Sequence, residues 1–241
     1  MRQWLHRMNP SVKFVIITIS MITMAFFFNP WTPLVFFFGV VLFQLAFAKV
    51  SWKIWGLMML PFLLGAIGYF WTTLVFGNDN ADPIGTALSL SFRVLAFSSL
   101  SLLFVFTTKP VDFILSLMQQ LKLSPKIAYS ILVGYQFLPV LKDEFVQIQQ
   151  AQQLRGIVKP KSPVKGILAM RHVLIPMLAG AVRKAERTAF AMEARGFTGD
   201  SDRTFYKRVT IGRTDFWMTV MFVLLVLISI YAGITGPAIQ K

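Results

Sequence analysis

Two short boxes carry the most pointed chemistry in this sequence. Ala151-Gln152-Gln153-Leu154-Arg155-Gly156 returns 40 residues later as Ala191-Met192-Glu193-Ala194-Arg195-Gly196, with Ala, Arg and Gly at matching places. Arginine presents a planar fork of donors that suits carboxylates and carbonyls in a partner's groove. The same residues also stop a helix, because Arg favours the negative end of the helix dipole and Gly takes the left-handed conformation just beyond it. One copy reads as plain termination. Two matching copies suggest two equivalent arginines offered to two equivalent receptors.

Little else in the sequence could do chemistry. No Gly-x-x-x-x-Gly-Lys-Ser/Thr run is present to cradle a nucleotide, so any ATP hydrolysis belongs to other chains. His6 and His172 lie far apart with no patterned carboxylates around them and read as structural or interfacial. Without Cys, a thiolate metal site is excluded. The sequence therefore calls for no catalytic residues, no metal ligands and no cofactor. Arg93 is the one ionisable residue well inside an apolar stretch. It either snorkels outward, or sits inside and bonds to exposed helix carbonyls or to Asp79 or Asp82.

The elements that must position these boxes follow from hydropathy. Of the 241 residues, 56% are hydrophobic and only 14% charged, too apolar for a soluble globule of this size. Five segments, 11–28, 31–48, 54–76, 86–106 and 216–234, approach the roughly 20 residues a helix needs to cross a bilayer. Barrel strands would alternate over about ten residues, which these do not. The expectation is an all-α polytopic membrane protein with about five transmembrane helices. The first is read as an uncleaved anchor, because Phe26-Phe27-Phe28-Asn29 is no small-residue cleavage site.

Orientation follows from the loops. Arg2, Arg7 and Lys13 precede or open the first segment, Lys49 and Lys53 separate the second from the third, and Lys109 follows the fourth. The turn 29–33 and the loop 77–85 carry no basic residue. This places the N-terminus in the cytoplasm and the C-terminus outside, in the cell membrane. Residues 108–213 hold 17 basic and 7 acidic residues, which is most of the formal net charge of +14. Positive-inside bias and contact with anionic lipid explain that excess without nucleic acid. Three regions result: a four-helix membrane region over 1–107, a cytoplasmic layer of amphipathic helices over 108–213, and a last membrane helix over 214–241.

Within the cytoplasmic layer, Pro110, Pro125 and Pro163 sit just inside helix starts, with Ser124 and Ser162 as caps. A short helix spans 111–121 and a long one 126–154, which Pro139 should bend. A Pro/Lys-rich linker covers 158–165. The last helix ends near Arg195, its approach broken or kinked at Pro176. Ala181, Ala185 and Ala189 repeat a small residue every fourth position. That stripe reflects either helix propensity with ordinary packing, or a close crossing with the helix that holds Phe137 to Ile148.

With these motifs in place, the chain resembles a known family, the T-component of energy-coupling factor transporters, which is the membrane scaffold of vitamin and metal-ion importers. The likeness runs through Leu5-His6-Arg7-Met8-Asn9-Pro10 with Lys13, then Arg93, Thr107-Thr108-Lys109-Pro110, Phe137-Leu138-Pro139 and the two Ala-x-x-x-Arg-Gly boxes. Leu154, Gln136 and Asn9 depart from the residues usual there. The resemblance implies that the amphipathic layer over 108–213 is one of coupling helices, and that Ala151, Arg155, Gly156, Ala191, Arg195 and Gly196 at their ends dock into grooves on two ATP-hydrolysing subunits. A separate substrate-binding membrane subunit would be the third partner, in the lipid bilayer. A stand-alone secondary transporter or channel is the alternative, weakened by the lack of a carboxylate inside the apolar segments.

Overall fold

In a computed structural model of the chain, residues 5, 8–27, 29–47, 51–76, 83–155, 163–200 and 204–236 are described. They form eight helices and no strand: α1 Pro10–Ala25, α2 Trp31–Phe47, α3 Trp52–Phe76, α4 Pro83–Thr107, α5 Pro110–Gln120, α6 Pro125–Leu154, α7 Pro163–Ala194 and α8 Arg213–Thr235. Pro10, Pro110 and Pro125 each open a helix, where the missing N–H costs nothing. Asn9 caps α1 by accepting from the Ser11 N–H at 3.1 Å. Ser124 holds the cap position of α6 without a side-chain cap bond. Ser162 lies outside the described residues.

The fold is all-α and polytopic. Helices α3, α4 and α8 are each long and apolar enough to cross a membrane, and α1 and α2 are shorter apolar helices of 16 and 17 residues. All five fall on the expected apolar segments.

By compactness the chain divides into Met1–Leu121 with Lys207–Lys241, and Lys122–Tyr206. In the first unit α4 is the central helix, packed against α1, α2 and α3, while α8 packs on α1 and α2 and α5 on α1. Small residues let α4 take that place: Ser89, Ser91, Ala96, Ser98 and Ser99 are buried along it. Two polar side chains tie it to its neighbours. Gln44 on α2 donates to the Ser99 carbonyl at 2.9 Å, and the Ser91 hydroxyl donates to the Ala66 carbonyl of α3 at 3.0 Å. Where α2 meets α8, Phe222 sets its ring edge-on against Phe36 and Phe43. There too, a Cβ on Gly233 would collide with the fully buried Thr32.

The second unit is the pair α6 and α7. Their seam holds an ion pair, Lys184 to Glu144 at 2.5 Å. Beside it a Cβ on Gly180 would lie 2.5 Å from Glu144 Oε1. Gln152 donates to the His172 carbonyl at 3.3 Å, and Tyr129 meets Phe197 edge-on. Helix α6 runs through Pro139 and α7 through Pro176. Of the break or kink expected at Pro176, the break is not found: a proline removes one backbone bond, and the helix runs on through it over 32 residues.

Candidate functional site

The two Ala-Arg-Gly boxes end the two helices of the second unit, on α6 and α7 respectively. At the second box the chain closes a Schellman turn. The Phe197 N–H donates to the Met192 carbonyl at 3.0 Å and the Gly196 N–H to the Glu193 carbonyl at 2.9 Å, with Gly196 at φ +79°. A Cβ-bearing residue would be strained at that φ, which explains the glycine. Arg195 is thereby the last residue before the reversal, and Ala191 and Arg195 are exposed. At the first box Arg155 is the C-cap, its N–H donating to the Ala151 carbonyl at 3.2 Å. Ala151 and Arg155 are exposed, and Leu154 is 90% exposed. Gly156 lies outside the described residues.

Both guanidinium groups therefore stand on helix C-termini, where the backbone dipole favours a cation. Leu154 places a bare isobutyl group beside Arg155, where Ala194 stands beside Arg195. That arrangement can present one charged fork and, at the first box, one apolar contact to a partner.

Of the alanine stripe, Ala181 is half-buried, while Ala185 and Ala189 are exposed. Ala185 and Ala189 line a groove of about 360 Å³ between α6 and α7, opposite Tyr129, Val133 and Phe137. On α7 a Cβ added at Gly180, one residue before the stripe, would meet the end of the Glu144 side chain. Sequence reasoning passed over Gly180, although a glycine inside a long helix is itself a sign of close approach.

The first unit places charges at helix ends as well. Lys13 is 3% exposed, and its ammonium donates to the Leu5 carbonyl at 2.7 Å, to the Thr107 carbonyl and hydroxyl at 3.2 and 3.0 Å, and to the Thr108 hydroxyl at 3.3 Å. Thr107 ends α4, so Lys13 occupies the negative end of that helix. Arg93 does the equivalent for α1, donating to the Phe27 carbonyl just past that helix's end. The bond to a helix-end carbonyl named for Arg93 is present, made by a half-buried side chain. Asp79 and Asp82 lie outside the described residues, as do His6, Arg7 and Lys49.

Asp215, buried in the first turn of α8, went unrecognised in the sequence. It accepts from the Asn9 N–H at 2.9 Å and from the Gly212 N–H at 2.8 Å. An acid at the third position of a helix is a capping signal, and it was legible here as such. Its bond to Asn9, 206 residues away in the chain, was not.

Comparison with known proteins follows the same lines. The family described as cobalt transport protein (CbiQ) matches residues 1–206. Curated relatives include the energy-coupling factor transporter transmembrane protein EcfT of Exiguobacterium sibiricum, 29% identical over 95% of this chain and 94% of the relative. The protein of the same description from Limosilactobacillus fermentum is 28% identical over 94% of this chain and 91% of its own length. That of Bacillus subtilis is 30% identical over 56% of this chain and 54% of its own length.

Proposed function

Because the chain belongs to the CbiQ family, the T-components of energy-coupling factor transporters, we propose that it is the membrane scaffold of such an importer. In this reading it passes ATP hydrolysis by two separate ATPase subunits to one substrate-binding membrane subunit, for uptake of a vitamin or a metal ion. The N-terminus and the unit α6–α7 face the cytoplasm, and the C-terminus faces outside.

One observation carries this reading. Two exposed arginines, Arg155 and Arg195, cap the C-termini of the two helices that make up one compact unit. Two like ends on packed helices suit two like receptors, and motion at either receptor would be felt by both helices. The fork of each Arg would bond carboxylates or carbonyls in the receptor groove, with Gly196 giving the chain its turn away from the second contact. The chain's own task is mechanical, and the hydrolytic chemistry sits in the partners.

Co-purification from native membranes tests this. Two ATPase chains and one further membrane chain should co-elute with it. Recovery of the protein alone, together with uptake into liposomes that contain nothing else, would establish the stand-alone transporter instead.

A further inference from the structure

A polar pocket of about 460 Å³ lies in the first unit where the starts of α1 and α5 meet the segment 207–210. Its lining includes Asn9, Thr108, Lys109, Lys207, Arg208 and Thr210. The rim is basic and exposed: Lys109, Lys207 and Arg208 all reach solvent. Asp112, also in the lining, is paired with Lys207. Within the lining, Asn9 is 3% exposed, and its Nδ2 has no hydrogen-bond partner. The amide cannot be reversed to remove that orphan, because Oδ1 already accepts the Ser11 N–H at 3.1 Å. A buried donor without an acceptor is costly, and it calls for an acceptor that comes from outside the chain. Helix α5 opens on the pocket with Lys109 as its cap residue and no side-chain cap bond. Pro110 has no N–H, so the Val111 and Asp112 N–H groups are the ones left without a side-chain cap, in the same first turn that carries the Asp112 carboxylate.

We infer that this pocket binds a phosphate group, held by Asn9 Nδ2, by the α5 N-terminus at one side, and by Lys109 and Arg208 at the rim. Phosphate supplies several acceptor oxygens and a negative charge, which matches a set made of donors and cations. The group can arrive on an anionic lipid headgroup, whose surface potential already attracts basic rims of this kind, or as a free anion. Bound there, it would tie the start of α1, the start of α5 and the segment 207–210 together.

A thermal-shift titration of the full-length chain in nonionic detergent tests this with three probes: short-chain phosphatidylglycerol, short-chain diacylglycerol and inorganic phosphate. Saturable stabilisation by phosphatidylglycerol but not by diacylglycerol is expected. Stabilisation by inorganic phosphate at similar concentration identifies the free anion as a sufficient ligand, and stabilisation by the lipid alone identifies the headgroup. Asn9→Asp keeps the cap on Ser11 but puts a carboxylate in the lining, and should weaken binding at least tenfold. The double variant Lys109→Ala/Arg208→Ala alters only exposed side chains, so it decides the matter if Asn9→Asp fails to fold. It too should lose at least tenfold, while Lys142→Ala in the other unit should not. Wild-type affinity in the folded double variant, or no saturable effect of either phosphate probe, would overturn the proposal.

Discussion

Lys13 shows how an ionised group survives at the mouth of an apolar helix. Four oxygen acceptors within 3.3 Å surround its ammonium, two of them on the last residue of α4. Asp215 mirrors it, with two backbone N–H donors near the starts of α1 and α8. Both charges sit at helix ends of opposite sign, which is where a charge is cheapest to bury. Hydrogen bonds to charged groups contribute about 1.5–3 kcal/mol each, so Lys13→Met and Asp215→Ala should each destabilise the chain by at least that much. Equilibrium unfolding of the detergent-solubilised protein measures it, and wild-type stability in either variant would contradict this account. Arg93→Leu should also destabilise, since the Phe27 carbonyl then loses its donor in an apolar setting. Arg93→Lys should recover part of the loss, since it keeps a cation near the same carbonyl.

Among the elements, glycines separate rigid contacts from adaptable ones. Gly233 on α8 faces Thr32, which is fully buried and has nowhere to move. Gly233→Ala should cost about 1–3 kcal/mol through overpacking. Gly180 on α7 faces the end of the Glu144 side chain, which can swing away from Lys184. A part-exposed ion pair is worth about 0–1 kcal/mol, and alanine returns about 1 kcal/mol of helix propensity, so Gly180→Ala should be nearly neutral. Unfolding of both variants side by side checks the contrast, and equal effects would remove the distinction. The helices themselves were legible from hydropathy and from proline placement, as the starts at Pro110 and Pro125 show. What sequence could not reach were pairings over long separations: Gln44 with Ser99, Ser91 with Ala66, and Asn9 with Asp215. Those depend on which helix faces meet, and a serine on an apolar helix looks the same whether it bonds its own turn or a neighbour. At Pro176 the sequence left break and kink both open, because local propensity counts the lost backbone bond and omits the support of a long helix.

For the whole molecule, the proposal joins apolar helices in the bilayer to the pair α6–α7 in the cytoplasm. The orientation half of that claim rests on the basic loops. Because the sequence contains no Cys, Asn80→Cys and Lys161→Cys can each be labelled singly. The first should react with an impermeant thiol reagent from outside, the second only after the membrane is opened, and the reverse pattern would refute the orientation. The coupling half rests on the two exposed arginines. Truncating a buried, hydrogen-bonded charge at an interface typically costs about 2–5 kcal/mol, so losing one arginine should weaken assembly and losing both should abolish coupling. Uptake by the reconstituted complex carrying Arg155→Ala/Arg195→Ala, with membrane level and ATPase association followed in parallel, is the direct measurement. The account predicts normal insertion, loss of the ATPase subunits and no uptake, and normal uptake at normal membrane level would contradict it.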